Sequence, residues 1–457
     1  MYEPGKETEE FWDAPPEIVT RDLLSRHERI GGGYWLAVAV TAILFIIGII
    51  GLYIRLLGGF QDRAAWGYYA ATFMFLFTTV QAAPMVTIGL LFTKAHLRRP
   101  VSRPSGLFAA TGPLVFLLFI PLLSLIPPLQ GRNNLWNGLD IGGAPYTWDT
   151  LSLGFWVLCG LTFFWLVARP DLVTVRQLGR RGWRASLAGF LAGNWRGTHG
   201  QWKLLSKGMV LLGGLYFVSL IMTNTLLSID LGMSMVPGWR SAILAPYHIL
   251  TSLEGAVAAT IVAMGILRWA GYRRYLLFDQ FWALGKIMFA LALLGIYFTF
   301  ADLVTLWYGR QPHEQIILQL TMFGPPLPVF IAGFFLSFFG PLLTMMWNRV
   351  RQSILGPTLV AMGVLVGLFL DRIRLYVSAF NAAQVSMEPI HEVPPFRPPD
   401  GADLMIMIGF PAGAILLYLL VSKLVPVMST WQIKELLMLR ATRRYHQATV
   451  TTMAKPE

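Results

Sequence analysis

Among the ionisable residues within or at the edges of long apolar stretches, eight could form a polar site: Asp149, Asp230, Glu254, Lys286, Asp302, Asp371, Arg372 and Arg374. Charged side chains at membrane depth are rare and usually face a bundle interior, where they pair or move ions and protons. Asp149 follows Trp148 at the start of one stretch, and Asp230 closes the next. Glu254 lies about three turns into a third, within TSLEGAVAAT. Two readings of these groups stand side by side. As ion pairs and helix-end charges they hold helices together; Asp149 suits a helix N-terminus, whereas Asp230, at a C-terminus, needs a partner. As a functional set they form a polar site or the entrance of a proton path. Lys286 and Asp302 are sixteen residues apart on one helix, about 24 Å at ~1.5 Å per residue. Waters and hydroxyls would have to bridge that gap, and Tyr297 and Thr299 are the candidates on the same stretch.

The elements that must position these groups are ten apolar stretches, at 34–57, 66–93, 105–126, 151–169, 205–229, 243–268, 281–308, 324–347, 353–380 and 403–427. Each covers the ~17–25 residues that cross a hydrocarbon core. A helix satisfies all its backbone hydrogen bonds internally, so the expected fold is an all-α polytopic membrane protein with ten transmembrane helices. Basic residues fall on one side. With the N-terminus inside, the inner segments and tails carry 26 Lys and Arg and the outer segments six, which predicts both termini in the cytoplasm. The net charge of +12 is then a topology signal directed at anionic lipid, with no call for nucleic acid. Charged residues are only 13% of the chain, too few for a soluble surface. The polar, acidic N-terminus is no cleavable signal.

The histidines and the cysteine limit the chemistry. A membrane cytochrome needs axial ligands, usually His, on its helices. Of seven His only His248 lies near a stretch, and Cys159 is the sole thiol. The expectation is therefore no haem, no iron–sulfur cluster and no metal centre in this chain; electrons would travel on a lipid-soluble carrier or a partner subunit. The loop 170–204 reads as an interfacial segment with Trp at headgroup depth. The outer loop 381–402, with EVPPFRPPDG, reads as an extended contact strip. No stretch is long enough for a soluble domain.

Several strings, in order, resemble a known family. YTWDT (146–150), VARPDLVTVRQ (167–177), NWRGTHGQWKLL (194–205), SIDLGMSMVPGWRSAILAPYH (228–248), IYFTFADLVTLWY (296–308), FLDRIRLYVSAF (369–380) and VPVMSTWQIKE (425–435) are similar to membrane subunits of the NrfD/polysulfide-reductase type. They most resemble the large quinone-associated subunits of bacterial alternative complex III, and the divergent copy in particular. The resemblance covers about 66–435. It implies a cytoplasmic segment 1–33, a flanking helix 34–57, a first four-helix bundle 66–229, a second bundle 243–380, a flanking helix 403–427 and a cytoplasmic tail 428–457.

The resemblance also implies a quinol site at the outer face of the first bundle. The candidate quinone-binding residues are Ser124, Trp148, Asp149, Asn224 and Asp230. Asp149 matches a family Asp, but Ser124 and Asn224 stand where the family has His, so two proton acceptors are missing. Asp302 and Asp371 stand where the family has Glu, and Arg372 is kept. The resulting expectation is a scaffolding subunit of a quinol:acceptor oxidoreductase in the bacterial cytoplasmic membrane. Its second bundle would carry protons through Glu254, Lys286, Tyr297, Asp302, Asp371 and Arg372. Its partners would be iron–sulfur and multihaem cytochrome c subunits, a paralogous membrane subunit and lipids. Quinone or menaquinone would be its only cofactor. One alternative is a subunit that binds and oxidises menaquinol itself; another is a secondary transporter.

Overall fold

A computed structural model describes residues 15–127, 135–136, 139, 141–179, 182–383, 390–445 and 448–453. The acidic N-terminus before residue 15, Arg132, His446, Lys455 and residues 384–389 of the Pro-rich outer loop lie outside the described residues.

A short helix, α1 (Pro16–Glu28), precedes the apolar ones. Nine helices among the described residues are long and apolar enough to cross a membrane. The first five are α2 (Gly32–Leu57), α3 (Arg63–Phe92), α4 (Arg98–Leu123), α5 (Tyr146–Leu178) and α7 (His199–Met235). Between the last two lies α6 (Trp183–Ala192). Then come α8 (Leu244–Tyr272), α9 (Phe278–Gly309), α11 (Leu327–Met345) and α13 (Gly401–Val421), with the short α10 (Pro312–Leu318) before α11. The remaining expected span, 353–380, is the 28-residue helix α12 (Leu355–Ala382), with three charges in its second half. The protein is thus a helical, multi-pass membrane protein. It is not purely helical: after α14 (Thr430–Leu439) the tail folds back as an antiparallel hairpin, β1 (Arg440–Tyr445) and β2 (Ala448–Met453).

Both described chain ends gather at one end of the bundle. At this base, Tyr275 donates to Asp22 at 2.7 Å, and Lys423 donates to the carbonyls of His27 and Arg29. Asp171, near the end of α5, receives Arg103 as an ion pair, and the Ser429 hydroxyl, the Thr430 hydroxyl and the Thr430 N–H as donors. A carboxylate that caps α14 while neutralising an arginine is well matched. At the far end, Arg55 on α2 grips Asp400 at 2.7 Å and Asp403 at 2.6 Å.

The two flanking helices, α2 and α13, pack on each other. A Cβ added to Gly48 would stand 2.8 Å from the Gly409 Cα, so only glycine permits this approach. Small residues let membrane helices pack closely where no hydrophobic drive exists. Tyr69 meets Phe410 edge-on, and Tyr418 donates to the Pro104 carbonyl, which seats this pair against α3 and α4.

Helices α3, α8 and α12 pack together as a central seam, with α3 and α8 the most buried of the nine candidate spans. A Cβ on Gly67 would stand 2.9 Å from the Val377 Cα, and Gly255 faces Thr79 and Leu368. Helix α3 widens by one residue just before Pro84. The Gln81 N–H donates to the Leu76 carbonyl, five residues back, at 3.0 Å. Such insertions are frequent at functional sites, and this one lies where Thr78 and Gln81 are buried.

His27 on α1 is 2% exposed. Burial, and then the charges of Lys423 and Arg184, push its ring from the ordinary 6.5 down to about 4. The undocked helix therefore takes up a proton between about pH 6.5 and 4 that the docked helix refuses, so docking weakens as pH falls through that window and is fully retained above it. Burial alone would raise Asp22, but hydrogen bonds from Arg26 and Tyr275 hold it below 3.8, outside this window. Hydrogen exchange should show α1 losing protection between pH 7.5 and 5, and His27→Phe should flatten the dependence. Equal protection of the native helix at both values would contradict it.

Candidate functional site

The densest buried charge lies in the seam. Asp371, Arg372 and Arg374 share helix α12. Asp371 accepts from Arg372 Nη1 at 2.9 Å and from Arg374 Nη2 at 2.7 Å. One carboxylate thus serves two guanidinium groups, and their remaining N–H groups go to neighbours. Arg372 Nη2 reaches the Thr251 hydroxyl at 2.5 Å, and its Nε reaches Thr78 at 3.3 Å. Both threonines donate their own protons back to helix carbonyls, Tyr247 and Met74, leaving lone pairs for the arginine. Arg374 Nη1 donates to the Thr321 carbonyl at 2.8 Å and its guanidinium lies over the Phe330 ring.

This arrangement leaves one positive charge over, and Glu254 lies within its field. The Glu254 side chain is fully buried, close to Asp371 and Arg372, and among the described residues neither carboxyl oxygen has a hydrogen-bond donor. On the same helix, His248 donates from Nδ1 to the Leu244 carbonyl at 2.9 Å, and the Tyr376 hydroxyl lies 2.9 Å from its Nε2. The neutral tautomer with Nδ1–H satisfies both contacts.

Asp302 stands toward the far end of α9, where the Ser241 hydroxyl donates to it at 3.1 Å. A cavity of about 20 Å3, lined by Tyr247, Asp302, Thr321 and Arg374 among others, joins Asp302 to the arginine cluster. That is room for about one water, and the lining offers it several polar partners. Thr299 also lines this cavity and donates to the Gly295 carbonyl.

Two expected path residues are elsewhere. Lys286 is exposed, with its ammonium 3.5 Å from the centre of the Trp282 ring, and Tyr297 is 62% exposed. Their eleven-residue spacing is about three turns at ~3.6 residues per turn, so they share the outward face of α9.

Asp149 on α5 and Asp230 on α7 come together. Their carboxyls lie within hydrogen-bonding reach of each other, Trp136 donates its indole N–H to Asp230 at 2.8 Å, and Asp149 is fully buried. Trp148 is half-exposed and donates to the Gly142 carbonyl. Ser124 is exposed. Asn224 is buried and occupied: its Nδ2 donates to the Leu220 carbonyl, and Ser252 lies 2.8 Å from its Oδ1. Of the two residues that stand where the family has His, Ser124 thus faces outward and the Asn224 amide is engaged by Leu220 and Ser252. Deeper in the bundle, the Tyr216 hydroxyl donates to the Gln81 carbonyl, while the Gln81 side-chain amide is buried without a partner.

Arg374, Thr251, Thr78 and the Asp171–Arg103 pair matter more than the sequence alone suggested. Arg374 lies three residues from Asp371, a spacing that puts both on one helix face. Asp171 and Arg103 had no such signal, because each sits where a stretch ends and charge is ordinary. Among the described residues, no three His, Cys, Asp or Glu side chains gather as a metal-ligating group.

The chain matches no protein-family model and no curated protein.

Removing one member of a buried ion pair strands the others, at about 3–5 kcal/mol. Asp371→Asn should therefore lower the thermal stability of the detergent-purified protein by that order, and Asp371→Glu by much less. A melting curve for Asp371→Asn that overlays the native one would show that the two arginines do not depend on Asp371.

Proposed function

We propose that this protein is a membrane-embedded subunit of a quinol:acceptor oxidoreductase of the alternative complex III kind, scaffolding the assembly and carrying protons through its second bundle. On this reading ten helices cross the bacterial cytoplasmic membrane with both termini inside. The partners are iron–sulfur and multihaem cytochrome c subunits and a paralogous membrane subunit. The motif resemblance supports the family; the charge asymmetry supports the orientation.

The observation that carries the proton role is the series from the half-buried Asp302 through the cavity to the buried Arg374–Asp371–Arg372 group and the buried Glu254. Static ion pairing accounts for Asp371 and the two arginines, but not for a buried carboxyl with no donor. Glu254 in its ionised form balances the surplus guanidinium charge, and in its protonated form releases it. The two states differ by one proton and one local field, which is what a relay group needs. A proton entering at Asp302 has a cavity with room for a water on its way inward, and the arginines tune the carboxyls at either side. Lys286 and Tyr297, on the outward face, have no part in this route.

A second reading, quinol oxidation in the first bundle, rests on the buried Asp149–Asp230 pair. Two carboxyls in contact repel when both are charged and hold a shared proton favourably. On this reading the pair, once it has lost its shared proton, accepts from a quinol hydroxyl through the buried Asp149. Neither Ser124 nor Asn224 supplies a second base, which ranks this reading lower.

Both readings meet in one assay. In vesicles containing the assembled complex, Glu254→Gln and Asp302→Asn should lower the protons moved per electron by at least half while quinol oxidation continues. Unchanged proton yield in a stably assembled complex would make the cluster purely structural. In the same vesicles Asp149→Asn should leave quinol oxidation nearly intact; a loss of about tenfold or more would shift the assignment to a working quinol site.

A further inference from the structure

A second built cavity lies at the base, away from both carboxyl groups. It holds about 260 Å3 between the end of α3, the start of α4, the first turns of α7 and helix α14. Its polar wall is Lys94, Arg98 and Arg99, and Glu435 is the only carboxylate among its lining residues. Arg99, 2% exposed, bonds Glu435 at 2.8 Å, while Arg98 stands at 4.0 Å from it. Three cations against one anion leave a surplus of two positive charges facing the cavity. The buried Arg99 Nε has no partner among the described residues.

The opposite wall is apolar, made by Leu91, Leu205, Met209 and Val210. At the boundary between the walls, Trp202 and Trp431 meet with ring centres 5.4 Å apart. Tryptophan at the join of a charged and an apolar surface marks headgroup depth. Lys94 itself is held at φ 53°, in the left-handed region. Glycine adopts that conformation freely, and lysine does so at a cost. The turn closes α3 as a Schellman motif, with the Ala95 N–H donating to the Leu90 carbonyl and the Lys94 N–H to the Leu91 carbonyl, and it places Lys94 at the rim of the cavity.

We infer that this cavity binds one anionic phospholipid, its phosphate held by Lys94 and Arg98 and one acyl chain lying in the groove between α3 and α7. The cavity has both parts such a molecule needs: surplus cationic charge at the interface and an apolar floor continuous with the lipid-facing helices. Basic pockets between transmembrane helices are suited to this class of ligand. Arg99, fixed by Glu435, shapes the seat. The bound lipid would cover the contact between α14 and the bundle, and so tie the tail to the membrane.

The test uses the full chain purified in detergent, with native mass spectrometry and titration of dioleoylphosphatidylglycerol, dioleoylphosphatidylcholine or inorganic phosphate. Phosphatidylglycerol should be retained at one per chain, in preference to phosphatidylcholine. Lys94→Gly and Arg98→Gln should each weaken it about fivefold, the effect of one basic group near an anionic headgroup. Lys94→Gly relieves the backbone at that turn, so it should melt no lower than the native chain. Ser206→Trp, on the apolar side, leaves every charge in place and fills the groove; it should also weaken lipid binding. Equal retention of phosphatidylcholine would overturn the inference. So would inorganic phosphate competing fully while Ser206→Trp has no effect, which would define a free-anion site. Variants that bind phosphatidylglycerol as tightly as the native chain would overturn it as well.

Discussion

Two guanidinium groups share one carboxylate in the interior of this helical membrane protein. Arginine keeps its charge under all ordinary conditions, so the surroundings must adapt to it. They do so with hydroxyls and a carbonyl from three other segments: Thr78 on α3, Thr251 on α8 and Thr321 just after α10. The widened turn in α3 lies next to Thr78, and glycine at 255 lets α8 approach that same turn. The central seam is thus organised around charges that lipid could not solvate. The surplus positive charge explains why a carboxyl as deep as Glu254 is tolerable nearby.

The ends are secured separately. Asp171 draws α4, α5 and α14 together, and Arg55 joins α2 to the start of α13 through two aspartates. The glycine contact between Gly48 and Gly409 brings the first and last spans side by side, although they are about 360 residues apart in sequence. These contacts leave the central cluster free of any part in closing the chain ends. A buried group can change its protonation there without loosening the tail.

The spans were legible because about twenty apolar residues in a row have few other structural uses. The expected stretch 353–380 and the observed Leu355–Ala382 agree closely even though three charges interrupt that helix. Helical phase was much less legible. Lipid-facing and buried positions are both apolar, so hydropathy cannot tell which way Lys286 or Tyr297 points; only packing against α8 and α11 decides it. The widened turns were hidden because they depend on how Pro84 or Pro341 meets its neighbours. The Asp371–Arg372 group was visible as charge out of place, and its second arginine, Arg374, follows from helical spacing. The pairing of Asp171 with Thr430 joins two strings 259 residues apart and was invisible in either one. The tail hairpin carried no apolar signal at all.

The central claim is that Glu254 changes protonation while the arginine cluster stays paired. Infrared difference spectroscopy of the assembled complex during quinol oxidation reads this directly, with the band assigned through Glu254→Gln. The account predicts a protonated-carboxyl stretch that appears or disappears with turnover and is missing in the variant. A difference spectrum with no Glu254-dependent carboxyl band, in a complex that still oxidises quinol and moves protons, would contradict it.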